Sequence, residues 1–216
     1  MMGERDFRSV ITAAVDSIGR ELDVKIDPED IGTIHLHEVV RCLRRSYYDR
    51  TDPKDLKRGG FNELLSGLLQ KYGYGSEPKD FEVDGIRLRG RADMIVDDAV
   101  ILFRSAGALP EDPKAGDVLF LNACLWIYGK LDGVIVYISG DRQEASFSVT
   151  RNKRMFEETV RRVRVLNDLL GQKKLPILEP ATECEGCQYY ERCFMKQRVG
   201  RSFNLKEMIG IDSKEE

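Results

Sequence analysis

The stretch that decides the fold is Gly85-Ile-Arg-Leu-Arg-Gly-Arg-Ala-Asp-Met-Ile-Val96, followed by Asp97-Asp98 and then Ala99-Val-Ile-Leu-Phe-Arg-Ser105. Alternating and β-branched apolar residues read as strands, and Asp84-Gly85 and Asp97-Asp98 read as turns. Phe81–Val83 and Ile86–Val96 are therefore expected as a hairpin, with Val100–Phe103 as a further short strand. A lone Asp93 stands inside the second strand, beside the next strand's Leu102 and Arg104.

Working outward, residues 115–128 read as a buried helix holding the only tryptophan, Trp126, after a loop punctuated by Pro110 and Pro113. Val134–Ile138 and Ala145–Val149 form a second strand pair around Gly140-Asp141. Thr150 is the expected N-cap of a long helix with Phe156, Val160, Val163 and Leu170 on one stripe, ended by Gly171 and Pro176. Upstream, helical spacing runs through 6–22 (Phe7, Val10, Ile11, Ala14, Val15, Ile18), about 36–49 and about 61–72, with Gly59-Gly60 between the last two. The class is α/β or α+β, a mixed sheet flanked by helices.

The 216 residues suit one substantial domain, or one domain with a small appendage, and a net charge of −3 from 34 basic and 37 acidic side chains excludes a uniformly basic coat. The longest nearly unbroken apolar run, Val118–Tyr128, is 11 residues and contains Asn122, short of the about 18 of a membrane span. The first residues lack the apolar stretch of a signal peptide, so a cytoplasmic, non-membrane protein is expected. Charge is uneven. Through Glu38 there are nine acidic and four basic residues, whereas Arg41–Arg58 carries seven basic and three acidic.

Five cysteines, an odd number, argue against a disulfide framework. Cys184, Cys187 and Cys193 lie within ten residues, with Gly186 between the first two, and can wrap one metal centre that is one ligand short. Cys42 is the obvious fourth ligand, and a shared site would tie the N-terminal helices to the C-terminal segment. Spacing alone admits zinc and iron–sulfur equally. Cys124, inside the apolar helix, reads as a core residue. His35 and His37 lack ligand-like spacing and read as residues at the start of a helix.

Three segments, Arg41-Cys-Leu-Arg-Arg-Ser-Tyr-Tyr-Asp-Arg50, Gly85–Val96 and Cys184-Glu-Gly-Cys-Gln-Tyr-Tyr-Glu-Arg-Cys193, occur in an order that resembles the CRISPR-associated RecB-like exonuclease family. The resemblance spans about 34–195. It implies a restriction-endonuclease-like PD-(D/E)XK core over 34–180, an N-terminal helical extension over 1–33, and a cluster-binding segment with a charged tail over 181–216. It also tips the cysteine site toward a 4Fe-4S cluster, with Zn2+ as the alternative.

The family's chemistry is metal-assisted phosphodiester hydrolysis, with Mg2+ or Mn2+ on a strand-end Asp and a Glu of the next strand, and a Lys two residues later. Carried over by resemblance, Asp93 matches the metal-binding Asp, Leu102 stands for the Glu, and Arg104 stands for the Lys. Asn62 stands for a helix His, and Phe120 and Cys124 for a Gln and a Tyr. One carboxylate beside a leucine is a poor Mg2+ or Mn2+ site, and arginine does not release its proton near neutral pH. No Glu or Asp occurs between 99 and 110, and Asp97 and Asp98 read as a solvated turn. The expectation is a decayed site in which Arg104 pairs with Asp93 in place of the metal, leaving weak or no nuclease activity.

Two basic runs flank the cysteines: Arg41, Arg44 and Arg45 with their neighbours, and Arg192, Lys196, Arg198 and Arg201. With Tyr47, Tyr48, Tyr189 and Tyr190 available to stack on bases, they are the expected nucleic-acid surface. The bland alternative is solvated helices and core tyrosines. The basic stretch at 151–164 reads as an ordinary exposed helix face. The partner expected from the resemblance is DNA, as single strands or duplex ends, with CRISPR integrase proteins a further possibility. Three functions stay open: a non-catalytic accessory in CRISPR adaptation, an active single-stranded DNA exonuclease, and a structural zinc protein.

Overall fold

The computed structural model describes residues 26–53, 69, 73–140, 143–179, 184 and 186–199, with side chains as far as Phe194. The expected helices over 6–22 and about 61–72, apart from Leu69, lie outside these residues, as do Asn62, Lys54, Lys57, Arg58 and Arg201. The chain divides into two compact units, Met1–Pro176 and Ile177–Glu216.

The first unit is a mixed α/β structure. Its described elements are β1 (Thr33–His35), α1 (Leu36–Val39), α2 (Leu43–Thr51), β2 (Lys79–Val83), β3 (Ile86–Gly90), β4 (Met94–Val96), β5 (Ala99–Ala106), α3 (Ala115–Tyr128), β6 (Asp132–Ser139), β7 (Glu144–Thr150) and α4 (Lys153–Gly171). One sheet has the order β1-β3-β2, with β1 and β3 parallel. The other has the order β4-β5-β6-β7. There β5 and β6 are parallel and joined through α3, while β4 and β7 are antiparallel to their neighbours. Parallel neighbours need such a crossover, so α3 is bound to cover the sheet.

The β2–β3 hairpin turns at Asp84-Gly85 with φ of 51° and 80°. Two left-handed residues in succession are what a tight two-residue hairpin demands. The expected strand over Ile86–Val96 is in fact two strands in different sheets, broken at Arg91–Asp93. Gly90 lies so close to the layer beneath that a Cβ there would meet Ile127 Cδ1 at 2.6 Å. Beyond it, side chains replace strand pairing: Ser76 Oγ donates to Ala92 O at 2.6 Å, and Ala92 N–H reaches Tyr128 Oη at 3.4 Å.

The expected helix over 36–49 is likewise interrupted, at residues 40–42. The freed carbonyls find an arginine instead. Arg162 of α4 donates from Nε to Val39 O and from Nη2 to Arg41 O, the latter at 2.6 Å. The N-cap of α4 is Asn152, whose Oδ1 accepts the Met155 N–H at 3.2 Å. Thr150, the expected cap, ends β7 and donates to Asp132 Oδ1. Asn152 also accepts from and donates to the buried Asn122 side chain of α3, so one residue caps α4 and fastens it to α3.

The core holds Ile34, Leu88, Val100, Leu102, Leu121, Leu125, Ile135 and Leu166, each about 1% exposed or less. On α4 the buried stripe is Phe156, Thr159, Val163, Leu166 and Leu170. Beneath β1, Arg50 forms a buried pair with Glu38 at 2.7 Å and donates to the carbonyls of Asp30 and Thr33. None of the helices among the described residues is long and apolar enough to cross a membrane.

In the second unit the Cys184–Cys187 turn closes with Cys187 N–H on Cys184 O at 3.1 Å. Helix α5 (Tyr190–Val199) follows directly.

Candidate functional site

The side chains of β5 alternate, so Val100, Leu102 and Arg104 share one face. Parallel pairing sets Leu102 beside Ile135 and Arg104 beside Tyr137 on the same face. Helix α3 packs across it, close enough that a Cβ on Gly133 would meet Leu121 Cδ1 at 2.8 Å. Asp93 enters from the other side, just before β4, which is registered with Met94 opposite Ile101.

Arg104 is the centre of the resulting cluster. Its Nη1 lies 3.3 Å from Asp93 Oδ2 and donates to Phe103 O at 2.7 Å. Its Nε donates to Asp117 Oδ1 at 2.8 Å, and the guanidinium sits 5.2 Å from the centroid of the Phe120 ring. Asp93 Oδ2 also accepts the Phe103 N–H at 2.9 Å. On the far side, Tyr137 Oη donates to Asp117 Oδ2 at 2.7 Å and accepts the Lys114 N–H at 2.9 Å. The three charged side chains are only 11–18% exposed.

Two weak acids at the cluster, Tyr137 and Cys124, are shifted. Burial first, then the hydrogen bond to the Asp117 carboxylate, pushes the Tyr137 phenol up to about 12, so it remains a donor near neutral pH. Burial also pushes the Cys124 thiol up, with the nearby Asp93 charge acting in the same direction and Arg104 opposing it. Cys124 is a protonated, fully buried packing residue.

A divalent ion does not fit this arrangement. Mg2+ and Mn2+ need about six oxygen ligands. Here Leu102, 1% exposed, occupies the position expected for a second strand carboxylate. The space between Asp93 and Asp117 already holds a cation, the Arg104 guanidinium. Arg104 thus pairs with Asp93 as expected from the adjacent strands.

Asp117 and Tyr137 escaped the sequence reading. Asp117, Phe120 and Cys124 follow i, i+3, i+7 spacing, so the face holding Phe120 and Cys124 carries a carboxylate one turn earlier. Tyr137 had no local signal, because its pairing with Arg104 crosses a helix.

None of the cysteines expected to bind a metal is joined in a disulfide. Cys184 and Cys187 are half-buried on one turn, and Cys193, whose N–H bonds Tyr189 O, is buried in α5. Cys42 is half-buried at the start of α2, in the first unit. Among the described residues no three His, Cys, Asp or Glu side chains form a metal-binding group.

The expected nucleic-acid surface needs correction. Tyr47 and Tyr48 are 9% and 2% exposed and pack inward from α2, so they are core residues and not stacking platforms. Arg41 is engaged with Asp49 at 2.7 Å, Arg44 donates to Pro176 O, and Arg45 reaches to within 4.0 Å of Asp49. In α5's unit Tyr189 is buried, Tyr190 is exposed against Phe194, and Arg192 is half-exposed. The side chains of Lys196 and Arg198 lie outside the described residues.

No protein-family profile matches the chain, and no curated protein matches its sequence. The fold is similar to that in the crystal structure of SSO0001, with a TM-score of 0.60, 22% identity, and coverage of 88% of this chain and 98% of that one. An alkaline exonuclease (LHK-Exo) from Laribacter hongkongensis gives a TM-score of 0.45 at 13% identity over 66% of this chain and 90% of that one. A phage related exonuclease from Haemophilus somnus 129PT gives 0.47 at 11% identity over 72% and 97%. Likenesses at these identities concern the fold alone.

Proposed function

We propose that this chain is a nucleic-acid-binding protein on a nuclease-type α/β scaffold whose hydrolytic centre has been replaced by an ion-pair network. The observation that carries the reading is Arg104 held between Asp93 and Asp117, with Leu102 buried beneath it. An arginine at this place neutralises the carboxylates, cannot serve as a base near neutral pH, and blocks a metal. The three sequence segments support a DNA-processing setting. Within it the chain acts as an accessory of CRISPR adaptation, with single-stranded DNA or duplex ends as its ligand. In this reading Cys42, Cys184, Cys187 and Cys193 hold a 4Fe-4S cluster that fastens the chain and leaves hydrolysis aside, a ligand set that rests on cysteine spacing and the resemblance.

A second reading, an active metal-dependent exonuclease, draws on the two carboxylates that converge on one cation position. It requires Arg104 to withdraw. Incubating the full chain with end-labelled single-stranded DNA and Mn2+ separates the two. The expected result is retention of intact DNA. Cleavage that Asp93→Ala abolishes would overturn the proposal in favour of the exonuclease.

A further inference from the structure

A concave site lies on the first unit, lined by none of the residues that contact Arg104. Residues 73–79, Ile95 and Tyr128 enclose a cleft of about 380 Å³. Tyr74 stands at it as a large aromatic side chain, 65% exposed to water. Lys79 Nζ lies over the Tyr128 ring, 5.9 Å from its centroid, so a cation and two aromatic rings belong to one small cleft.

The walls are held by hydrogen bonds, of which the one from Ser76 to Ala92 is buried. Tyr74 and Gly75 N–H groups both donate to Leu69 O, at 2.8 and 2.9 Å. Tyr128 Oη donates to Glu77 O and contacts Ser76 Oγ, while Ser76 Oγ donates to Ala92 O. The cleft is therefore anchored to Ala92, the residue immediately before Asp93, and Ile95 in its lining belongs to β4. Its place is beside β4, the strand that follows Asp93.

We infer that this cleft is a subsite for one nucleotide of a single-stranded nucleic acid, with its base stacked on Tyr74 and its phosphate near Lys79. This rests on the nucleic-acid reading above and gives it a surface. Small-ligand clefts begin at about 300 Å³, so this one suits a single nucleotide rather than an extended ligand. An exposed ring with a neighbouring cation is the pairing that single-strand binders use, since every base offers a π-face and every residue a phosphate. The chain's net charge of −3 supplies no general attraction for a polyanion, so local stacking must contribute a large share of affinity.

The test is single-stranded oligo-dT binding by the full chain, followed by fluorescence anisotropy over a salt series. Tyr74→Ala should weaken binding about 5- to 150-fold, the loss expected of one base–aromatic stack, without changing the salt slope. Tyr74→Phe should retain most of the affinity. Lys79→Ala should lower the slope of log K against log salt by about one phosphate's worth. Normal binding by Tyr74→Ala would overturn the subsite and leave the nucleic-acid reading standing. Failure of the parent chain to bind would overturn both. A matching loss in Tyr74→Phe would mean that stacking is not the interaction and would also overturn the subsite.

Discussion

Arg104 converts two carboxylates from potential metal ligands into ion-pair partners, and the consequence can be measured. In Arg104→Met, Asp93 and Asp117 would face the same space without a cation, costing about 1–3 kcal/mol after allowing for their partial exposure. Mn2+ should return part of that loss, because an ion that binds only the folded state stabilises it. Thermal melts should therefore show Mn2+ raising the midpoint of Arg104→Met and leaving the parent unmoved; an equal rise in the parent would contradict the ion-pair account. At this scale Asp93, Leu102 and Arg104 were legible, because strand alternation and the i, i+2 spacing place the latter pair on one face. Asp117 was half-legible through its helix face, and Tyr137 not at all.

At the scale of elements, several breaks come from long-range partners. The Val40–Cys42 gap exists because Arg162, from a helix far along the chain, supplies donors to the carbonyls of Val39 and Arg41. The β3–β4 break exists because Ser76 and Tyr128 bond to Ala92. The β1–α1 junction carries a pH response. Burial holds His35 below the ordinary value of 6.5, opposed by Glu38 and aided by Arg50 and Arg89. The unfolded chain takes up this proton first, so the stabilisation is present above about 6.5 and is lost as pH falls through the depressed folded value. Urea midpoints of the parent should fall between pH 7 and pH 5, and those of His35→Gln should fall less. Equal slopes would remove His35 from the account. The element types of 79–83, 86–90, 99–106, 132–139, 144–150 and 153–171 followed from periodicity, and that of 115–128 from its apolar run.

For the whole molecule, the cysteines make the sharpest prediction. If Cys42, Cys184, Cys187 and Cys193 hold a 4Fe-4S cluster, anaerobically purified protein should absorb at about 400 nm and contain about four irons per chain. Cys184→Ser should abolish the band, and Cys124→Ser, a substitution at a buried core thiol, should retain it in whatever protein folds. A colourless, zinc-loaded preparation would instead support the structural zinc alternative. The expectation of a cluster rests on three ligand-type residues within ten positions. The nucleic-acid surface was misread at Tyr47 and Tyr48, because composition reports charge and aromaticity and not which side of α2 turns inward.

The sequence by itself determined the mixed α/β class, the main strands and helices, and the placing of Leu102 and Arg104 on one face of a strand. Those follow from local periodicity and residue chemistry. Tertiary structure alone decided what fills the site: a carboxylate from α3 and a phenol from β6 reach Arg104 only when the crossover places α3 over a parallel strand pair. It also decided where helices and strands break, because a backbone group is released from regular pairing only when a distant side chain satisfies it.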